Sequence, residues 1–253
     1  AIFKNEYHKT FLHQLVSSQL DVDRLDYLRR DSFYSGVVEG NIGSDRIIKM
    51  LNVKGDKLVV EKKAIYSIEK FLIARRLMYW QVYLHKTVIA AEHLLIKILK
   101  RAKQICAQNN DLFCPPHLKW FLTNEISSED IHDEKLKNEL IRNFVLLDDT
   151  DIISSVKVWC NHPDPVLSYL SDSIINRKLL KIRISDYEFS DEKIKQLKIN
   201  AIKQFSIPED DVDFFVFSDV ISNSAYESGS ENILILSGNG STQDFRKASD
   251  INL

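Results

Sequence analysis

The chain has 253 residues, of which 44% are hydrophobic and 28% are charged, and its formal net charge is −2. These ordinary globular proportions exclude wholesale disorder, and the length allows one large domain or two medium ones. The small net charge argues against a general nucleic-acid or membrane-surface binder. No apolar run approaches the length of a membrane-spanning helix, and no signal-peptide pattern is present, so we expect a cytoplasmic protein.

The three cysteines, Cys106, Cys114 and Cys160, suggest no disulfide framework by their number and spacing. The run from Cys114 to His117 superficially resembles half of a zinc site, but no second pair of ligands is present to complete the four that structural zinc requires. The two methionines, Met50 and Met78, do not open the chain. We therefore expect a portion of a longer protein.

Helical spacing of apolar residues extends over residues 7–35, and residues 36–43 follow as a loop. The segment Lys54-Gly55-Asp56-Lys57, flanked by apolar runs, predicts a short hairpin. Residues 64–107 contain neither Pro nor Gly. They predict one very long helix or two nearly collinear helices.

Four shorter helices are predicted next, each with Asp, Ser or Pro near its start, at about 117–124, 133–144, 149–160 and 164–177. The composition changes near residue 180. The later pattern predicts strands at 180–184, 213–217 and 232–236, a helix from Ser190 to about Phe205, and a Ser-, Asn- and Gly-rich loop at 222–231.

These elements predict a mainly α fold in three parts. Residues 1–109 are the expected C-terminal part of a larger helical domain, residues 110–180 a helical extension, and residues 181–253 a small α+β appendage.

The densest functional pattern lies in the first helical segment. Asp23, Tyr27 and Asp31 are spaced i, i+4, i+8, so they rise along one helical face, away from an apolar stripe predicted at Val22, Leu25 and Leu28. The plainer interpretation is a charged surface face with local pairs such as Asp26 with Arg30. Helix statistics alone favour that plainer interpretation.

A second helical stripe places cations where its periodicity favours apolar side chains. Arg75 and Lys86 alternate there with Leu72, Tyr79 and Tyr83. A cation facing a core needs an anionic partner, because an unpaired buried charge is costly. Arg75 therefore either forms a structural salt bridge with one of the carboxylates above or binds a phosphate, and the spacing does not separate the two.

The run from Gln19 to Asp31 closely resembles the last metal-ligand motif of the HD-domain phosphohydrolases. It is most similar to the deoxynucleoside triphosphate triphosphohydrolase branch, which includes the vertebrate enzyme with a sterile-alpha-motif domain and bacterial relatives. The resemblance continues at compatible spacing through Arg75, 83–86, 147–152, 162–164 and 175–179, and residues 222–226 and 248–250 resemble the appendage of the bacterial relatives.

This resemblance implies a role for each matching residue. Asp23 is the implied metal ligand, and Arg75 the implied triphosphate ligand. Arg24 stands where the vertebrate enzyme has a lysine facing phosphate. Tyr27 and Asp31 would address the deoxyribose, on which Tyr83 would pack. Asp21, His85 and Lys86 are further possible residues of the same site.

The implied reaction is hydrolysis of deoxynucleoside triphosphates to nucleoside and triphosphate. A divalent ion such as Mg, Mn or Fe would assist the attack of water at the α-phosphorus. Family members are commonly dimers or tetramers, so a homo-oligomer is expected.

The sequence departs from the family in its metal ligands. The expected upstream His and His-Asp pair are absent from residues 1–20, where His8 and His13 lie too close to Asp23. The dipeptide His132-Asp133 is interpreted as an ordinary helix start. We expect this chain to hold a divalent ion weakly or not at all and to be inactive alone. The alternatives are a non-catalytic module for nucleotide binding or oligomerisation, and an HD phosphohydrolase acting on nucleoside monophosphates.

Overall fold

The computed structural model describes residues 1–108, 111–129, 132–221 and 232–250. The contacts within the chain define two compact units, Ala1–His85 with Ile221–Leu253, and Lys86–Val220. We call them the first and second unit. This division does not test the three predicted parts, 1–109, 110–180 and 181–253, which stay a prediction.

The described residues are mainly helical, as predicted, with a small four-stranded sheet. In chain order the elements are α1 (Thr10–Val16), α2 (Val22–Ser35), α3 (Ser44–Lys49), β1 (Leu51–Lys54), β2 (Lys57–Glu61), α4 (Ile65–Met78), α5 (Lys86–Ala107), α6 (Pro116–Thr123), α7 (Glu134–Leu146), α8 (Asp149–Trp159), α9 (Pro165–Ile175), α10 (Asp191–Phe205), β3 (Leu234–Leu236), β4 (Thr242–Asp244) and α11 (Phe245–Ala248). Short 3₁₀ turns occur at Val38–Gly40, Lys62–Ala64 and Glu209–Phe214, and a π turn spans Tyr79–Tyr83.

The sheet of the first unit has the strand order β1-β2-β3-β4. β1 and β2 form the predicted hairpin, in which Gly55 and Asp56 both have positive φ, 56° and 61°. Two successive positive φ values suit a tight two-residue turn between twisted strands. β3 joins β2 in parallel, with Val60 opposite Ile235, and β4 returns antiparallel.

The core of the first unit lies between α2, α4 and the sheet. Its fully buried side chains include Leu28, Ile47, Ile68, Phe71, Leu72, Met78, Ile235 and Phe245. Gly40 allows α2 and α4 to approach the turn before α3. A Cβ there would lie 2.7 Å from Ser32 Cβ and 2.8 Å from both Leu28 O and Met78 Sδ.

The second unit has its own core, in which α5 packs against α9. Trp159 of α8 is fully buried there, and its Nε1 donates a 2.7 Å hydrogen bond to the carbonyl oxygen of Phe113. Arg101 of α5 donates to Asp164 and Asp211 at 2.6 and 2.8 Å. Asp164 is also the N-cap of α9, so this ion pair links a helix start to α5.

Most predicted helices are present with small shifts of their ends. The long segment 64–107 is two helices, α4 and α5, separated by the π turn. The segment 7–35 holds α1 and α2. Neither α3, β4 nor α11 was predicted.

Two strand predictions are wrong. Residues 180–184, although within the described range, form no strand, and Leu180 instead packs against the core of the second unit. Alternation alone does not make a strand where no neighbouring edge is available for pairing. The run 213–217 is also not a strand, because Phe214 and Phe215 enter the same core at and just after a 3₁₀ turn. The predicted loop 222–231 and the matched run 222–226 lie outside the described residues.

Over the described ranges, no helix is both long enough and apolar enough to cross a bilayer.

Candidate functional site

The face predicted to carry chemistry is on α2. Asp21 is the N-cap of this helix and accepts a 2.7 Å hydrogen bond from the amide of Arg24. Leu25 and Leu28 are buried, as predicted, but Val22 is 48% exposed and does not belong to the buried stripe. Val22 occupies the first helical position, beside the N-cap, where the helix has begun but its side chain faces solvent.

The three aligned residues of α2 differ in exposure. Asp23 is exposed near the helix start, whereas Tyr27 and Asp31 are half-buried. The predicted surface pair also forms, because Arg30 Nε donates to Asp26 Oδ2 at 3.0 Å. The helix therefore has one solvated charged edge and, at Tyr27 and Asp31, one partly enclosed polar edge.

Arg75 of α4 lies in the interior of the first unit with only 8% of its surface exposed. Its Nη1 donates a 3.1 Å hydrogen bond to Gln19 Oε1, a neutral acceptor. Its buried Nε has no hydrogen-bond partner. Within the described residues Arg75 forms no ion pair with a carboxylate, so the structural salt bridge considered from the sequence is not what holds it.

Three tyrosines surround this cation and the α2 carboxylate. The guanidinium carbon of Arg75 lies 5.8 Å from the ring centroid of Tyr79, a cation–π distance. Tyr83 packs edge-on to Tyr27 and Tyr79, with centroids 6.0 and 5.2 Å apart. The hydroxyl of Tyr83 donates a 2.6 Å hydrogen bond to Asp31 Oδ2.

The two tyrosines nearest the carboxylate are held neutral. Burial, with the neighbouring Tyr79, raises the pKa of Tyr27 to about 12, although Arg75 and Arg24 act in the opposite direction. Burial also raises the pKa of Tyr83, and the hydrogen bond to Asp31 adds to this because a phenolate could not donate it. At neutral pH Tyr27 and Tyr83 are therefore both phenols.

Arg24 and Asp21 form a local pair. The guanidinium of Arg24 donates to the Asp21 carboxylate and to the carbonyl oxygen of Ser18. Asp21 is only 4% exposed and also caps α2. The structure therefore gives Asp21 a structural role, and the predicted phosphate role of Arg24 stays a prediction.

Two further candidates lie where α4 and its π turn give way to α5. His85 and Lys86 are both exposed, and Lys86 is the first residue of α5, in the second unit. His132, proposed from sequence to be an ordinary helix start, precedes Asp133, which caps α7 by accepting from the amide of Lys135 at 2.8 Å.

The described residues do not form a metal site. Over residues 1–108, 111–129, 132–221 and 232–250 no group of three His, Cys, Asp or Glu side chains is placed to hold an ion. Asp23 stands alone as the predicted ligand. His117, in the zinc-like run, contacts Asn143 Oδ1 through Nδ1 at 3.0 Å.

Two members of the site were not identified from sequence. Gln19 is the hydrogen-bond partner of Arg75, and Tyr79 provides the ring beside it. The position of Tyr79 four residues after Arg75 on the same helical stripe was a usable signal for it. Gln19 precedes α2, and no periodicity predicts which residue it meets.

Comparison with known proteins identifies relatives over most of the chain. Residues 42–113 match the model of the HD associated region. The crystal structure of a phosphohydrolase from Bacteroides thetaiotaomicron superposes with a TM-score of 0.92 at 50% identity, over 99% of this chain and 61% of that one.

Two curated proteins extend the comparison. YwfO of Bacillus subtilis is 32% identical over 71% of this chain and 39% of its own length. A Dictyostelium discoideum protein, named deoxynucleoside triphosphate triphosphohydrolase SAMHD1 homolog, is 27% identical over 59% of this chain and 31% of its own length. The chain thus spans less than half of either curated relative. The chain is therefore similar to the HD associated region over residues 42–113 and to proteins named as phosphohydrolases over longer stretches.

Proposed function

We propose that this chain provides the sugar- and triphosphate-binding wall of an enzyme that hydrolyses deoxynucleoside triphosphates to nucleoside and triphosphate. The observation that carries this proposal is Arg75, a cation 8% exposed whose Nε has no partner and whose Nη1 meets only a neutral amide oxygen. A buried guanidinium without a carboxylate is costly. An anionic ligand would supply the missing charge, and the planar guanidinium suits a phosphate.

The groups next to Arg75 suit a deoxyribose. Asp31 accepts one hydrogen bond from Tyr83 through Oδ2. A carboxylate has further lone pairs, so the same group can also accept from a sugar hydroxyl. The rings of Tyr27 and Tyr83 provide the apolar surface on which a sugar packs. The name of the Dictyostelium relative supports a deoxynucleotide as the substrate class.

We propose a divalent metal ion for the longer protein only. HD phosphohydrolases generally depend on a divalent ion, and Asp23 is its proposed ligand in this chain. The described residues do not assemble the remaining ligands. The proposed contribution of this chain is to bind and orient the nucleotide, and the 253-residue chain alone is expected to be inactive.

Calorimetric titration of the chain with each deoxynucleoside triphosphate, with and without Mn²⁺, tests this proposal. We expect binding without turnover. Nucleoside monophosphates in the same titration test the alternative substrate class, and equal affinity for them would contradict a triphosphate site. Hydrolysis by the isolated chain would contradict its proposed inactivity.

In the longer protein, Asp23→Ala is expected to abolish metal-dependent hydrolysis. Asp26→Ala is a matched control, because Asp26 is an exposed carboxylate on the same helix, paired with Arg30. Unchanged hydrolysis in the Asp23 variant would remove the metal-ligand assignment.

A further inference from the structure

A neutral side chain holds the buried guanidinium of Arg75. Gln19 is half-buried, and its Oε1 accepts a 3.1 Å hydrogen bond from Arg75 Nη1. A guanidinium has donors and no acceptor, so the amide must present its oxygen to it. The contact therefore positions the guanidinium without neutralising its charge.

The segment that carries Gln19 is fixed on both sides of this residue. The amide of Ser18 donates to Asp21 Oδ2 at 3.3 Å, and the amide of Leu20 donates to Ser18 Oγ at 3.1 Å. Leu20 is 4% exposed and belongs to the core of the first unit. Because the backbone is held before α2 begins, the position of Gln19 opposite Arg75 is part of the fold.

The ordinary partner of a buried cation is a carboxylate, and residues 21–31 contain four of them. Three of these carboxylates accept hydrogen bonds from donors other than Arg75: Asp21 from Arg24, Asp26 from Arg30, and Asp31 from Tyr83. The fourth, Asp23, is exposed. The nearby sequence is thus rich in acids, yet the side chain that meets the guanidinium is an amide.

We propose that Gln19 determines the specificity of this site for phosphate, because its neutral amide positions Arg75 and leaves the positive charge for an anionic ligand. This assignment rests on the proposed function and names a residue that tunes it. A glutamate has the same length and could accept the same hydrogen bond. Its charge, however, would pair with Arg75 and repel phosphate, so the ligand would have to displace a charge-assisted bond.

Two replacements of Gln19 separate its charge from its hydrogen bond. Gln19→Glu keeps the acceptor and adds a charge, whereas Gln19→Met keeps a neutral chain of similar length and removes the acceptor. We expect Gln19→Glu to weaken binding of a deoxynucleoside triphosphate at least about tenfold in calorimetric titration of the 253-residue chain, without lowering the urea midpoint of unfolding. Gln19→Met should lower the midpoint, because Nη1 loses its partner, and should weaken binding less.

The effect of Gln19→Glu should depend on the phosphates of the ligand. A deoxynucleoside without phosphate, followed by ligand-observed NMR, should bind equally to this variant and to the unaltered chain. Gln14→Glu is the matched control, because Gln14 is a half-buried glutamine of the same unit whose Oε1 accepts from the amide of Leu58 at 2.7 Å. Since this partner is uncharged, Gln14→Glu should leave the triphosphate affinity nearly unchanged.

The possible failures are distinguishable. Equal triphosphate affinity of Gln19→Glu and the unaltered chain would overturn the assignment of Gln19 and leave the proposed function in place. Equal weakening of triphosphate and deoxynucleoside binding would also overturn it, since such a loss does not involve phosphate. A urea midpoint lower for Gln19→Glu than for Gln19→Met would show that the site does not accept a charge at this position. No nucleotide binding by the unaltered chain would overturn the proposed function, and the assignment of Gln19 with it.

Discussion

Replacing Arg75 by methionine separates a ligand-binding role from a structural one. Methionine keeps an unbranched apolar stem of similar length and removes the guanidinium. The change loses the hydrogen bond to Gln19, worth about 1 kcal/mol, and also removes a buried Nε that has no partner. An unsatisfied buried donor costs about 1–3 kcal/mol, so the two effects oppose each other. We expect the free energy of unfolding to change by no more than about 1 kcal/mol.

Ligand binding is expected to respond much more strongly. A hydrogen bond to a charged partner contributes about 1.5–3 kcal/mol, which corresponds to roughly a tenfold to hundredfold loss of affinity. Urea unfolding and calorimetric titration with a deoxynucleoside triphosphate measure the two quantities on one sample. Arg76→Met is the matched control, because Arg76 is its exposed neighbour on α4. It should leave both quantities nearly unchanged.

Two results would refute this reasoning. A loss of about 3–5 kcal/mol of stability in the Arg75 variant would identify a buried ion pair with a structural role. Equal affinity of the variant and the unaltered chain for nucleotide would show that Arg75 does not meet the phosphates.

Three further predictions concern packing, pH and thiol reactivity. Gly40→Ala should cost about 1–3 kcal/mol in urea unfolding, since its Cβ would lie within 3.0 Å of three neighbouring atoms, whereas Gly238→Ala, with open space around it, should cost almost nothing; equal costs would contradict the packing described. Tyr27 should ionise above the ordinary range of tyrosine in an alkaline titration followed by tyrosinate absorbance. Because its folded pKa is raised from 10.0 to about 12, the stability that its neutral form contributes is complete below pH 10 and is lost as pH rises through about 12; ionisation of Tyr27 near pH 10 in the folded chain would contradict this. Burial raises the pKa of Cys114 to about 11, so its alkylation at pH 8 should be slow in the folded chain and fast in urea, and fast reaction without denaturant would contradict its burial.

Local patterns predicted the local structure well. The Gly55-Asp56 turn was predictable because two positive φ values require such residues, and α8 and α9 were predictable from Asp148 and Asp164, which cap them. The prediction of a strand at 180–184 was wrong, because an alternating pattern does not show whether another strand is available for pairing.

For the candidate site, the sequence predicted which residues share one face of a helix. It did not predict which residues of different segments meet. The spacing of Tyr27 and Asp31 placed them on one face, but the hydrogen bond from Tyr83 to Asp31 joins residues 52 positions apart. The contact of Arg75 with Gln19 joins residues 56 positions apart. Such contacts depend on how α2 and α4 pack, and helical periodicity does not determine this.

The parallel pairing of β2 with β3 has a consequence for biosynthesis. Val60 lies opposite Ile235, so two paired strands of the first unit are separated along the chain by the whole of the second unit. During translation, Lys86–Val220 leaves the ribosome before β3, β4 and Phe245 are available. The second unit can therefore fold first, while the core beneath Arg75 waits for its last strands. The core of the first unit is therefore completed only after the second unit has been synthesised.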